Sequence, residues 1–176
     1  MAIGATVYKA NINISDMDRH YYAEHDLTVA RHPSETDERM MVRLAAFALN
    51  ADERLHFTKG LCAEDEPELW IKDYGGDIEL WVDLGQMDEK RIRKACGRSQ
   101  RVVVYTFQEK SARQWWQQNA SKLERFKNLE VIHLDVGAIA TLSARSMQLQ
   151  CTISDGELSL HDAAERSVTI TQERWQ

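Results

Sequence analysis

Pro67-Glu68-Leu69-Trp70-Ile71-Lys72-Asp73-Tyr74-Gly75-Gly76-Asp77-Ile78-Glu79-Leu80-Trp81-Val82-Asp83-Leu84-Gly85 is two alternating apolar runs joined by a glycine pair. That pattern is a strong hairpin signal, because the favoured two-residue turns need positive φ. With Gly75-Gly76 as the turn, Glu68 faces Asp83, Trp70 faces Trp81 and Lys72 faces Glu79, all on one side of the hairpin. Leu69 and Ile71 share the other side with Ile78, Leu80 and Val82, which reads as core. Like charges directly opposite in a sheet are destabilising. The Glu68/Asp83 pair therefore asks for an explanation, and a divalent cation held between the two carboxylates supplies one.

Around this hairpin, 176 residues with 43% hydrophobic and 28% charged content fit one soluble domain, 1–176, large enough to bury a core. The longest apolar run, Leu44 to Leu49, is six residues, far short of the roughly 20 that span a bilayer. The start, Met1-Ala2-Ile3-Gly4-Ala5-Thr6-Val7-Tyr8-Lys9, is strand-like and lacks the regions of a signal peptide. Cys62, Cys96 and Cys151 are widely separated and without CxxC spacing, which argues against disulfides or a zinc site and for a reducing cytoplasm. A net charge of −6 gives no global attraction to nucleic acid, so such binding needs a local basic patch.

Residues 5–14 and 20–32 alternate around the turn-like Ser15-Asp16-Met17-Asp18 and read as two strands. A helix starts at about residue 34, with Ser34 as N-cap and acids in its first turn, and runs to about Asn50. Beyond the hairpin, 88–97 is a short helix closed by Gly97, 101–107 an interior strand, 110–127 a helix and 129–134 another buried strand. Strand patterns return at 147–153, 157–161 and 167–171. The strand–helix–strand units between 78 and 134 predict parallel crossovers and the flanking hairpins predict antiparallel additions. The fold class is α/β, a mixed β-sheet flanked by helices.

From residue 34 the order helix, hairpin, short helix, interior strand resembles the core of the PD-(D/E)xK nuclease-like superfamily, also called restriction-endonuclease-like. The resemblance assigns Glu68 and Asp83 as ligands of Mg²⁺ or Mn²⁺ and Glu35 as an auxiliary acid, with hard oxygen donors activating water at a phosphodiester. The family's lysine, which stabilises developing charge, is replaced here by Gly85. Gln86, Lys90 or Lys94 stand as surrogates, Gln86 and Lys94 foremost. A narrower resemblance rests on Asp16-Met17-Asp18-Arg19-His20-Tyr21-Tyr22, Arg31 to Arg39, Ile78 to Gln86 and Arg91-Ile92-Arg93-Lys94-Ala95-Cys96-Gly97. On these strings the chain is identified as a member of the YaeQ family of bacterial cytoplasmic proteins, which implies a variant nuclease-like fold and brings no reaction with it.

Helix 88–97 is the dense basic element. With Ile92, Ala95 and Cys96 inward, Lys90, Arg91, Arg93 and Lys94 face out, a seat for a phosphate backbone or simply a solvated face. Asp16, Asp18 and His20 have metal-ligand side chains but no recognised spacing, and a polar turn is the better reading. Trp70 and Trp81 offer rings to stack on bases unless a helix covers them, when they are core. Two functions follow: metal-dependent phosphodiester hydrolysis, or a non-catalytic module binding nucleic acid or a protein through the same surface, with no membrane partner.

Overall fold

A computed structural model describes residues 4–59 and 64–176; Cys62 lies outside them. The described residues form β1 (Thr6–Asp16), β2 (Tyr21–Arg31), α1 (Asp37–Leu49), β3 (His56–Phe57), β4 (Leu69–Lys72), β5 (Ile78–Leu84), α2 (Glu89–Arg98), β6 (Ser99–Thr106), α3 (Glu109–Leu123), β7 (Leu129–Asp135), a 3-10 turn at Ile139–Leu142, β8 (Ser146–Ser154), β9 (Glu157–Asp162) and β10 (Ser167–Arg174). Parallel and antiparallel pairings both occur, so the α/β class with a mixed sheet holds. The chain divides into two compact units, one of residues 1–51 with 136–171 and one of residues 52–135 with 172–176.

In the first unit the strand order is β2-β1-β8-β9-β10. Tyr8, Ala10, Ile12 and Ile14 of β1 alternate with exposed or half-buried neighbours, as do Met147, Leu149, Cys151 and Ile153 of β8. This period of two puts one face of each strand in the core. The hairpins β1/β2 and β8/β9 are antiparallel as expected, whereas β1 and β8, far apart in sequence, pair in parallel. Helix α1 is buried without a break from Met40 to Ala48; over that stretch every residue but Arg43 is apolar, as in a helix inside a core. Its N-cap is Thr36, whose hydroxyl accepts from the Arg39 N–H at 3.1 Å. Ser34, expected as the cap, instead pairs with His32 Nδ1 at 2.7 Å.

In the second unit the order is β7-β6-β5-β4-β3, with β5, β6 and β7 parallel through the crossovers α2 and α3. The predicted crossovers are therefore present. Trp70, Ile78 and Trp81 pack with Ile92 and Ala95 of α2 and with Val102, Val104, Leu123 and Val131. The rings are core under a helix rather than a stacking platform. The C-terminal residues pair beside β7, where Trp175 donates its backbone N–H to Val131 O at 2.8 Å. Burial pushes the thiol pKa of Cys96 up to about 11 and that of Cys151 up to about 12. Both are free, and thiols so shifted are inert.

Candidate functional site

The hairpin keeps its predicted register by an unpredicted route. Leu69 pairs with Val82, Trp70 with Trp81 and Ile71 with Leu80, but Lys72 pairs with Ile78. The turn is not the two-residue Gly75-Gly76 loop. Asp73 N–H donates to Asp77 O and Gly76 N–H to Asp73 O, giving a three-residue connection with Gly76 at φ +89°. Asp73 Oδ1 accepts from the N–H groups of Gly75 and Asp77, the local bonding that favours Asp at a turn. The extra residue in the loop is offset by a bulge that leaves Glu79 unopposed. The expected Lys72–Glu79 pair does not form. Lys72 Nζ sits 3.8 Å from the Trp70 ring centre, and Glu79 meets Arg54 at 3.0 Å.

At the other end of β4 the register slips: Glu68 donates its N–H to Val82 O at 3.0 Å, the residue that Leu69 already faces, and the expected Glu68–Asp83 pair is not part of the ladder. Glu68 is 6% exposed and Asp83 is 2% exposed, so two carboxylates are withdrawn from water in one hairpin. Burial of ionised groups demands compensation, and for Asp83 the compensation is Arg91. Its Nη2 donates to Asp83 Oδ1 and its Nε to Oδ2, both at 2.9 Å, while Trp81 Nε1 donates to Oδ2 at 2.9 Å. Bidentate guanidinium–carboxylate pairs of this kind are strong and directional. Arg91 also donates to the carbonyls of Glu64 and Glu66, each at 2.9 Å. The hydrogen bonds to Asp83 raise the arginine's already high pKa, burial opposes them, and the charges of Asp83, Glu68 and Asp88 add to the rise.

The expectation that Arg91 faces outward is thereby corrected. Asp88 caps α2, accepting from Arg91 N–H at 2.7 Å, so Arg91 stands in the first turn. Helical side chains lean toward the N-terminus, and a long one in that turn reaches past the helix start to the end of β5. Both oxygens of Asp83 are taken, and as they stand they do not fit a divalent ion. Among the described residues no three His, Cys, Asp or Glu side chains form a metal-binding group.

The other expected residues are scattered over both units. Gln86 Nε2 donates to Ser111 Oγ at 3.0 Å. Lys94 is ion-paired with Asp65, whose carboxyl it holds below the usual range. Lys90 is exposed beside Glu64, Asp88, Arg91 and Lys94 along a shallow cleft of about 350 Å³. Glu35 belongs to the first unit, where Arg39 Nη1 reaches its Oε2 at 2.6 Å and Arg43 Nη2 its Oε1 at 2.5 Å. Asp16 Oδ1 accepts from Asp18 and Arg19 N–H, and Asp18 caps the β8/β9 turn at Asp155 and Gly156. That cluster is turn architecture.

Gly85 stands where the resemblance drawn from the sequence would put a lysine. Its φ is +98°, and its N–H donates to Tyr105 O at 2.8 Å. A Cβ there would meet nothing closer than Met87 Cε at 3.8 Å. Backbone conformation, not space, excludes a lysine from this position. We expect Gly85→Lys to cost about 1–2 kcal/mol in a urea titration. A neutral or stabilising result would show that the backbone turn tolerates the motif residue.

Two features escaped the sequence reading. Residues 90–127 hold half of the chain's 22 lysines and arginines and only two of its 28 acids, Glu109 and Glu124; a running charge count reveals this, whereas attention to one helix does not. Three of the segment's acidic partners are each met by two cations, whereas Arg113 alone meets both Glu109 and Glu173. Arg93 and Arg125 both meet Glu89, at 4.0 and 2.5 Å, and Arg101 and Arg174 both meet Glu130. Lys94 pairs with Asp65, and Arg98 donates to its carbonyl at 3.0 Å. Each of these three groups keeps one positive charge in excess. The second feature is His133, whose Nδ1 meets Thr106 Oγ1 at 2.8 Å and whose Nε2 meets Glu109 at 2.7 Å, with the ring stacked on Trp175. Thr106 is fully buried and His133 is 3% exposed, so this network holds β6, β7, α3 and the C-terminus together.

A family model described as YaeQ protein matches residues 1–171. The uncharacterized protein YaeQ of Escherichia coli strain K12 is 48% identical over 179 aligned residues, covering 100% of this chain and 98% of its own. The Salmonella typhi protein is 49% identical with the same coverage. The crystal structure of YaeQ from Xanthomonas axonopodis pv. citri matches with a TM-score of 0.94 at 50% identity and 98% coverage of both chains. That of YaeQ from Pseudomonas syringae matches with a TM-score of 0.90 at 30% identity, covering 98% of this chain and 96% of the other. No described helix is long and apolar enough to cross a membrane.

Proposed function

The chain belongs to the YaeQ family, and on that footing we propose that it is a non-catalytic nucleic-acid-binding module on a nuclease-like frame. The chain order of helix, hairpin, short helix and parallel strand supports the frame. The observation that carries the binding is the cation excess over residues 90–127, whose Arg93 and Arg125 share Glu89 and whose Arg101 shares Glu130 with Arg174. Charge arranged this way persists locally although the whole chain is acidic, and phosphate contacts of this kind dominate nucleic-acid affinity. Arg91 argues for binding without cleavage. It supplies from within the chain the positive charge that a metal would bring to Asp83, and the motif lysine has no counterpart at Gly85.

The test is fluorescence anisotropy with a labelled mixed-sequence duplex, read across a salt series with Mn²⁺ present. Saturable binding that falls steeply with salt, with the oligonucleotide intact afterwards, is the expected result. Arg93→Gln with Arg125→Gln removes two cations that are 58% and 56% exposed. It should weaken binding roughly tenfold and reduce the salt slope by about two. Calorimetric titration of Mn²⁺ should give no saturable heat. Saturable heat abolished by Asp83→Asn, together with cleavage of the oligonucleotide, would replace this reading with metal-dependent hydrolysis.

A further inference from the structure

We infer that the nucleic acid is held through its phosphates alone and that duplex is preferred to single strand; this rests on the binding proposed above. Proteins that favour single strands combine a basic track with aromatic rings on which bases stack. Here the basic track lacks the rings. All five tryptophans of the chain lie in the second unit, and each packs against another ring. Trp70 meets Trp81 edge-on at 6.3 Å and carries Lys72 over its face. Trp81 is 2% exposed, with Arg98 5.4 Å from its ring centre. Trp115, Trp116, Trp175 and His133 are half-buried or buried and form a chain of ring contacts with centres 6.0, 5.8 and 5.0 Å apart, the first tilted and the other two stacked, with Arg113 over Trp175 as well. Arg125 lies over Phe126 at 4.8 Å.

Among the described residues two large aromatic side chains are exposed, Tyr22 and Tyr74. Tyr22 shares its face of β2 with Glu24 and Asp26, and Tyr74 sits in the turn between Asp73 and Asp77. Phosphate is repelled at both places. What remains for a ligand is the cations of α2, the start of β6 and the end of α3, none of which is a ring on which a base can stack. Helix α2, ten residues long, spans about 15 Å. Over that distance a duplex presents about twice the phosphate charge of a single strand. A surface that senses charge density and not bases therefore favours the duplex and is indifferent to sequence.

The experiment compares one mixed-sequence strand of about 20 nucleotides with its duplex by anisotropy, between about 50 and 200 mM salt, while following tryptophan emission. We expect the duplex to bind at least threefold more tightly, a second sequence to behave alike, and the emission to stay unquenched. Tighter or equal binding of the single strand, or quenching on its addition, overturns this inference and leaves the proposed function standing. Binding of neither form removes the proposed function itself. Arg93→Gln with Arg125→Gln should weaken both forms, and failure to do so places the ligand elsewhere.

Discussion

Arg91→Ala should cost about 3 kcal/mol of folding stability. The guanidinium is the donor to both oxygens of Asp83 and to two backbone carbonyls of the segment 64–66. Removing it leaves a carboxylate that is 2% exposed, with the Trp81 indole still donating at 2.9 Å. Breaking one side of a buried pair costs about 3–5 kcal/mol, and we take the lower end because the Arg91 side chain is 25% exposed. Asp83→Asn keeps the shape and one good acceptor, so it should cost less. If the pair acts as a unit, the double variant is more stable than the sum of the single losses implies. Urea denaturation of the four proteins measures the coupling. Simple additivity would mean that Arg91 and Asp83 are neighbours without interaction, and the buried carboxylate would then need another source of compensation. A companion measurement sharpens the point. Mn²⁺ should stabilise Arg91→Ala more than the wild type, because only the variant frees both oxygens of Asp83 from the guanidinium. Equal stabilisation of both would show that the guanidinium does not take the cation's place.

The sequence carried the strand pairs and crossovers because each is a local pattern. Alternation in β4 and β5, glycine between them, and continuous apolar runs in β6 and β7 each follow from burial on a pleated surface. Even the register survived a wrong turn, since burial of Leu69, Ile71, Leu80 and Val82 on one face and Trp70 and Trp81 on the other admits no one-residue slip. The bulge at Glu79 absorbs the difference. What could not be read was long-range polar pairing. Nothing in the spacing of Asp83 and Arg91 distinguishes an inward guanidinium from an outward one, because the direction depends on where α2 begins relative to the end of β5. The parallel pairing of β1 with β8 and the C-terminal pairing with β7 depend on chain paths that no local period records. Glu68 and Asp83 are both buried, though the ladder does not pair them, and the positive charge beside Asp83 is that of Arg91. The sequence reading supplied that charge with a divalent cation and turned Arg91 outward, whereas in the structure the Arg91 guanidinium reaches both oxygens of Asp83.

Glu35→Ala should be still more costly, about 3–5 kcal/mol, and its sign separates two roles. An acid kept to bind a cation is strained by its own charge when the cation is away, so neutralising it relieves repulsion and leaves the fold as stable or more so. An acid that anchors buried cations behaves oppositely. Glu35 lies just before α1, 4% exposed, and its two oxygens are divided between Arg39 and Arg43. Arg43 is itself nearly buried, its side chain 8% exposed, and its Nη2 also donates to Ala30 O at 2.9 Å. The Glu35 carbonyl accepts from Arg31 at 3.3 Å, so β2 and the start of α1 converge on this one residue. Substitution by alanine strands the Arg43 charge in a core that α1 fills with Met40, Met41, Leu44 and Phe47. Glu35→Gln retains one acceptor and should lose roughly half as much. Thermal or urea unfolding reads both variants directly. A stabilised Glu35→Gln would identify the residue as an acid held in reserve for a cation, whereas graded losses from Gln to Ala identify it as the counter-charge on which the entry to α1 is built.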